Sequence, residues 1–227
     1  MKLSRLLYHT TRKGKKEVRV MLAAGRVSVD GQVEKNSQRE VNEFSLVELD
    51  GTPLQHEERV YLMLNKPAGY LSATTDPEHP TVMELIDIPQ TLHIAGRLDR
   101  ASTGLLILTN DGKWSRALTE PKEGVPKTYL VTTADPVSDE TKDHFHNGIY
   151  FAYEDLTTQP AELDIITPQQ VRLTIYEGRY HQIKRMFHAV GNRVTSLHRE
   201  SIGKIILDPA LEPGNYRLLT DDEVATI

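Results

Sequence analysis

Residues 93–112 read His93-Ile94-Ala95-Gly96-Arg97-Leu98-Asp99-Arg100-Ala101-Ser102-Thr103-Gly104-Leu105-Leu106-Ile107-Leu108-Thr109-Asn110-Asp111-Gly112. Four consecutive aliphatic residues, 105–108, closed by Asn-Asp-Gly, have the form of a buried strand ending in a tight turn. The polar segment ahead of them is then a loop held against the core. Gly96 and Gly104 bracket it, and one carboxylate, Asp99, sits between Arg97 and Arg100 with a cleft to face. On local pattern alone, an Asp flanked by arginines is half of an ion pair, and short patterns of this kind recur by chance.

Downstream, a second segment combines apolar periodicity with charge. Ile183, Met186, Phe187 and Val190 recur at i, i+3, i+4 and i+7, while His181, Lys184, Arg185 and His188 fall on the opposite face. The spacing predicts a helix stopped by Gly191 that anchors on one side and presents cations on the other. Alternation over Val171–Tyr176 predicts a strand, as do Lys127–Thr132, Val194–Arg199 and Val60–Leu64. Trp114–Leu118 reads as a short helix, and Thr220-Asp221-Asp222-Glu223 as the capping box of a final one. Pro67 makes Asn65–Tyr70 a rigid turn. Residues 134–170 carry little signal.

Upstream, Val18, Met21 and Leu22 have helical spacing, with Lys15, Lys16 and Arg19 free for the exposed side. Gly25 ends that helix, and Arg26–Val33 alternates about Asp30-Gly31, a hairpin signal. Residues 51–59, polar and containing Gly and Pro, read as a linker.

Composition bounds the class. The 227 residues, 38% hydrophobic and 26% charged, suit one large domain or a small one plus a medium one. The absence of cysteine excludes disulfides and thiolate metal sites and suits a reducing compartment. No apolar run approaches the ~20 residues of a membrane span, and the first residues lack the apolar core of a signal peptide, so a cytoplasmic location is expected. The overall charge of −5 conceals an asymmetry: residues 1–26 hold eight Lys or Arg (Lys2, Arg5, Arg12, Lys13, Lys15, Lys16, Arg19, Arg26) against Glu17 alone. That is +7 at one end and −12 over the remainder, the footprint of a polyanion-binding surface.

Gly96-Arg97-Leu98-Asp99 with Ser102-Thr103-Gly104-Leu105 resembles the catalytic motif of the pseudouridine synthases of the RsuA/RluA superfamily. Asn65–Tyr70 is similar to that family's first, structural motif, and Lys127-x-Tyr129 to its tyrosine motif. Gly178-Arg179-Tyr180-His181-Gln182-Ile183-Lys184-Arg185-Met186 resembles its third motif, and Val194–Gly203 its last. The basic helix and Gly-Arg-Val-x-Val-Asp-Gly of residues 15–31 resemble an S4-like RNA-binding module.

The resemblance implies an α+β protein. A small S4-like α/β RNA-binding domain with its linker would cover residues 1–58. A catalytic domain over 59–227 would be built on a large, mostly antiparallel sheet with flanking helices and a central cleft. It implies that Asp99 is the catalytic carboxylate, that Tyr129 stacks on the target base, that Leu197 packs near it, and that Arg199 lies near the RNA backbone. Arg97 would fill the vacated stack or hold a phosphate. The basic partner of Asp99 would be Lys184 or its neighbour Arg185. Arg5, Arg12, Lys13, Lys15, Lys16, Arg19 and Arg26 would grip RNA phosphates. The expected partner is 16S rRNA or a small-subunit assembly intermediate, bound by a monomer; the rivals are a synthase for large-subunit rRNA and a non-catalytic RNA-binding or assembly protein. No cofactor or metal is implied, because the isomerisation of uridine adds and removes no atom. Breaking the glycosidic bond develops oxocarbenium-like charge at the sugar, which a nearby carboxylate stabilises, as in retaining glycosidases. In a dry pocket burial would neutralise that carboxylate, and a cationic neighbour would counter it.

Overall fold

The computed structural model describes residues 1–120 and 124–227, which form two compact units, Met1–Arg59 and Val60–Ile227. In the first, helices α1 (Leu3–Thr11) and α2 (Lys15–Ala23) accompany a four-stranded antiparallel sheet, β1 (Val27–Val29), β2 (Gln32–Val33), β3 (Val47–Leu49) and β4 (Thr52–Gln55), in the order β2-β1-β3-β4. Leu3, Leu6, Leu7, Val18, Met21 and Leu22 bury the helices' apolar faces with Val27, Val29 and Val47. Asp30 and Gly31 both take positive φ, giving the predicted hairpin turn.

The linker reading of 51–59 is corrected. Asp50 and Gly51 repeat the same positive-φ pair, and residues 52–55 return along β3 as β4. An Asp-Gly turn signal stood at the start of that stretch and was outweighed by the Gly, Pro and charge that follow it.

The second unit is built on a nine-stranded sheet. Its strands are β5 (Tyr61–Lys66), β6 (His93–Ala95), β7 (Thr103–Thr109), β8 (Lys127–Thr133), β11 (Glu162–Thr167), β12 (Gln170–Ile175), β13 (Val194–Ile202), β14 (Ile205–Ile206) and β15 (Tyr216–Leu218). The main path runs β11-β12-β8-β13-β7-β5-β15, with β6 beside β7 and β14 beside β13. Every pair is antiparallel except β13 with β7. A separate hairpin, β9 (Tyr150–Phe151) and β10 (Leu156–Thr157), precedes β11. The helices are α3 (Gly112–Thr119), α4 (Asp139–Asn147), α5 (Gln182–Ala189) and α6 (Asp221–Val224). Residues 134–170, silent in sequence, thus hold α4, the small hairpin and β11. No helix among the described residues is long and apolar enough to cross a membrane.

The 105–108 run is the centre of this sheet. Leu106 and Leu108 join Leu62 and Leu64 in the core on one face, while Leu105 and Ile107 join Met63 and Ile202 on the other. A strand covered on both faces needs apolar residues at every position, which is why the run does not alternate. On α5, Ile183, Met186 and Phe187 are buried as predicted, and the Phe187 ring meets Phe145 of α4 edge-on at 4.9 Å. The helix ends as Gly191 implied: Gly191 has φ +78°, its N–H donates to the His188 carbonyl, and Asn192 N–H reaches back to Phe187.

Candidate active site

Asp99 lies on the loop between β6 and β7, and residues 66–72 fix that loop from outside. Ser72 Oγ donates to the Leu98 carbonyl (2.7 Å) and accepts from Leu98 N–H (3.1 Å). Gly69 N–H donates to the Arg100 carbonyl, and Arg100 Nε to the Gly69 carbonyl. Lys66, fully buried, donates through Nζ to the carbonyls of Pro67 (3.0 Å), Arg100 (3.3 Å) and Ser102 (2.8 Å). The rigid turn read at 65–70 is therefore the outer brace of the Asp99 loop.

Burial pushes the Lys66 ammonium down to about 8, against the opposing pull of Asp99. The folded lysine thus loses its proton near 8, whereas an unfolded one keeps it up to 10.5. Between those values the unfolded chain binds more protons, so the stability conferred by this residue rises with pH. Relative to Lys66→Met, which carries no titrating group there, the wild type is expected to gain stability as denaturation is repeated from pH 8 towards 10. A difference that shrinks over that window would mean that the three carbonyls hold the ammonium charged against its burial.

Asp99 faces a cavity of about 640 Å³, the size range of a small-ligand site. Its side chain is 27% exposed, wetter than the dry pocket the sequence suggested, and both carboxylate oxygens are engaged. Lys184 Nζ donates to Oδ2 at 2.6 Å, and His181 Nε2 stands 3.2 Å from Oδ1. Of the two candidate partners, then, Lys184 faces the acid. Arg185, one position on, points elsewhere: its guanidinium pairs with Glu154 on the β9–β10 connection and lies 3.8 Å over the Phe151 ring. It is absent from the cavity lining, a correction to its expected role on the substrate.

Tyr129, Leu197, Arg97 and Arg199 all line the cavity. Arg97 is exposed at its lip, while Tyr129 is almost wholly buried and shows the cavity a limited part of its ring. Arg199 departs from expectation. Only 1% exposed, it donates from Nε to the Leu105 carbonyl (2.8 Å) and from Nη2 to the Gly96 carbonyl (2.7 Å), with Nη1 3.5 Å from the Tyr129 hydroxyl. A guanidinium so committed ties the Asp99 loop to the sheet; it does not reach out to an RNA backbone.

Sequence reasoning missed His181, placing it on the solvent face of α5. It is the residue before that helix and takes a left-handed backbone (φ +49°), which turns its ring back towards Asp99. Lys66, Arg100 and Lys127 were missed as well, and burial followed by the nearby Arg199 lowers the pKa of Lys127. Electrostatically the cavity opposes its surroundings. The second unit carries 16 Lys and Arg against 23 Asp and Glu, yet among the described residues the lining has six Lys or Arg and a single carboxylate, Asp99. A concave site of one sign concentrates ligands of the other, here a polyanion. Among the described residues no cluster of His, Asp and Glu has the arrangement of a metal site.

In the first unit Arg5, Arg12, Lys13, Lys15, Lys16, Arg19 and Arg26 are all exposed. Lys13 pairs with Glu17 and Arg26 with Asp50; the other five have no ion pair among the described residues.

The profile of a family described as RNA pseudouridylate synthase matches residues 60–189. The chain is 52% identical over 209 residues to a Yersinia pestis protein named ribosomal small subunit pseudouridine synthase A, covering 91% of this chain and 89% of that one. A Pseudomonas aeruginosa protein of the same name is 46% identical over 230 residues, covering both chains in full. A crystal structure described as pseudouridylate synthase superposes with a TM-score of 0.72 at 38% identity, covering 100% of this chain and 99% of that one.

Proposed function

The chain belongs to the RNA pseudouridylate synthase family, and from that premise we propose that it converts one uridine of small-subunit ribosomal RNA to pseudouridine, with Asp99 as the catalytic carboxylate. The observation that carries the reading is the Asp99 carboxylate, the lone acid among the described residues of a cationic cavity, gripped by Lys184 and His181.

The chemistry follows from charge. Asp99 has to be ionised to attack the sugar C1′ or take the C2′ proton, and the Lys184 ammonium stands 2.6 Å from its Oδ2. As the glycosidic bond breaks, positive charge grows on the sugar and negative charge on uracil. Asp99 opposes the first, and the cations around it oppose the second. The uracil must then turn and rejoin through carbon before water intervenes, so the bound nucleotide itself has to exclude water from a carboxylate that is partly exposed without it. To reach Asp99 the uridine must leave its stack at a cost of a few kcal/mol. Contact with Tyr129 and Leu197 offsets part of that cost, and Arg97 at the lip is placed to hold an adjoining phosphate.

Residues 1–58 serve in this reading as an S4-like grip on RNA. Support comes from Arg5, Arg12, Lys15, Lys16 and Arg19, exposed on or beside α1 and α2 and with no ion pair among the described residues. Counterion release at such contacts makes affinity fall by roughly 0.7–0.9 log units per log unit of salt for each phosphate held.

The test is incubation of the protein with transcripts of small- and large-subunit RNA, each naked and assembled with its ribosomal proteins, followed by mapping of pseudouridine. Product at one position of the small-subunit RNA is expected. Product confined to the large-subunit RNA would overturn the substrate, and none in any sample would overturn the activity.

A further inference from the structure

We propose that the Tyr180–His181 ring pair is a second base-binding subsite, a platform at the cavity rim on which the nucleobase next to the target uridine stacks. The proposal rests on the RNA-modifying reading above and adds to it a place for a neighbouring base that Asp99 does not act on.

Three observations point to it. First, Tyr180 lines the cavity yet is 74% exposed, and its ring stacks on the His181 imidazole at 3.9 Å between centroids and 20° between planes. A large ring supported by one neighbour and otherwise bare leaves apolar surface in water that a second flat ring would cover.

Second, the loop beneath it is held firmly. Glu177, only 3% exposed, accepts hydrogen bonds from Gln159 N–H (3.0 Å), Gln182 Nε2 (2.7 Å) and Arg179 Nε (2.9 Å). Gln182 Oε1 accepts from Arg179 N–H, and Gln182 N–H donates to the Arg179 carbonyl. His181 keeps its left-handed backbone within this frame. Such a conformation costs energy and persists only where the surroundings over-determine it. A ring fixed in advance loses little entropy when a partner stacks on it.

Third, the position matches the chain of an RNA. His181 touches Asp99, and Tyr180 is the next residue outward on the same loop. With a uridine drawn in to Asp99, the nucleotide joined to it through one phosphate lies at the rim. Arg97, Arg100 and Arg179 are exposed residues of the cavity lining that could meet the phosphate. Base-on-aromatic stacking accepts any base, so this subsite would add affinity and register with little sequence preference.

The test uses a short small-subunit RNA that the protein binds, centred on the uridine whose removal weakens binding most, together with two copies carrying an abasic residue on the 5′ or the 3′ side of that uridine. Dissociation constants and turnover are measured for the wild type, Tyr180→Ala and Tyr180→Phe. On the intact RNA, Tyr180→Ala is expected to raise Kd and KM by about 5- to 150-fold, the factor that ~1–3 kcal/mol of stacking represents. Its kcat should stay within about threefold, and Tyr180→Phe should bind like the wild type because the ring is kept. One of the two abasic RNAs should cost the wild type the same factor and cost Tyr180→Ala nothing more. Additive losses on both abasic RNAs, or a fall in kcat with KM unchanged, would overturn the proposal; the latter would make Tyr180 a support for His181 alone. The cycle in Kd needs no turnover. A protein that binds with the coupled loss and modifies nothing would therefore fault the isomerase reading and leave the subsite standing.

Discussion

Asn in place of Asp99 is expected to lower the single-turnover rate of uridine isomerisation about 1000-fold or more, at least ~4 kcal/mol of transition-state stabilisation. The amide keeps the shape of the side chain but cannot carry the negative charge needed to attack the sugar or take its proton. Folding should be nearly unaffected. The carboxylate's partners, Lys184 and His181, are both about a third exposed, and ion pairs in such settings contribute ~0–1 kcal/mol. The backbone bond from Ser102 N–H to the Asp99 carbonyl is retained. RNA affinity should hold or improve, because the substitution removes the one carboxylate that, among the described residues, lines the cavity with six Lys and Arg. Rate loss with intact melting temperature and unweakened binding is the signature to look for. A rate within about tenfold of wild type would remove Asp99 from the chemistry.

Gly104→Ala is expected to act at the opposite end of the chain of causes, by destroying the fold that holds the loop. At Gly104 β7 runs parallel to β13 with Arg199 as its register partner. A Cβ there would stand 2.4 Å from the Arg199 carbonyl oxygen and 2.7 Å from its nitrogen, and φ is +100°. Backbone cannot yield as a flexible side chain does, and the conformation is one that L side chains rarely adopt. Separating the strands would also pull the Arg199 guanidinium from Gly96 and Leu105, leaving buried carbonyls without donors. A loss on the order of 4 kcal/mol or more is expected in denaturant unfolding, which would leave a protein of ordinary stability partly unfolded or insoluble. A loss under ~1 kcal/mol would show that the two central strands can move apart without penalty.

These two residues also mark what a sequence discloses. The 105–108 run and the 183–190 periodicity were legible because burial on two faces, or on one stripe of a helix, leaves a repeating trace. Asp99 stood out through its setting and its resemblance to a known motif. The choice between Lys184 and Arg185 was not legible. The two lie about 100° apart on a helix, so that each faces a different neighbour. The acids that claim them, Asp99 and Glu154, come from distant segments whose placement only the folded sheet decides. His181 was hidden because periodicity assigns faces only within a helix, and this residue sits one step outside it in a left-handed turn. Arg199 was expected near the RNA backbone on the strength of the motif resemblance alone. Its burial is explained by two carbonyls that no local pattern reveals.

The most direct measurement is a pseudouridine map of small-subunit ribosomal RNA from cells lacking this protein, complemented with either the wild-type chain or Asp99→Asn. One uridine should lose its modification on deletion, regain it with the wild-type chain, and stay unmodified with Asp99→Asn expressed at the same level. An unchanged map after deletion, or restoration by the Asn variant, would contradict a uridine isomerase that works through Asp99.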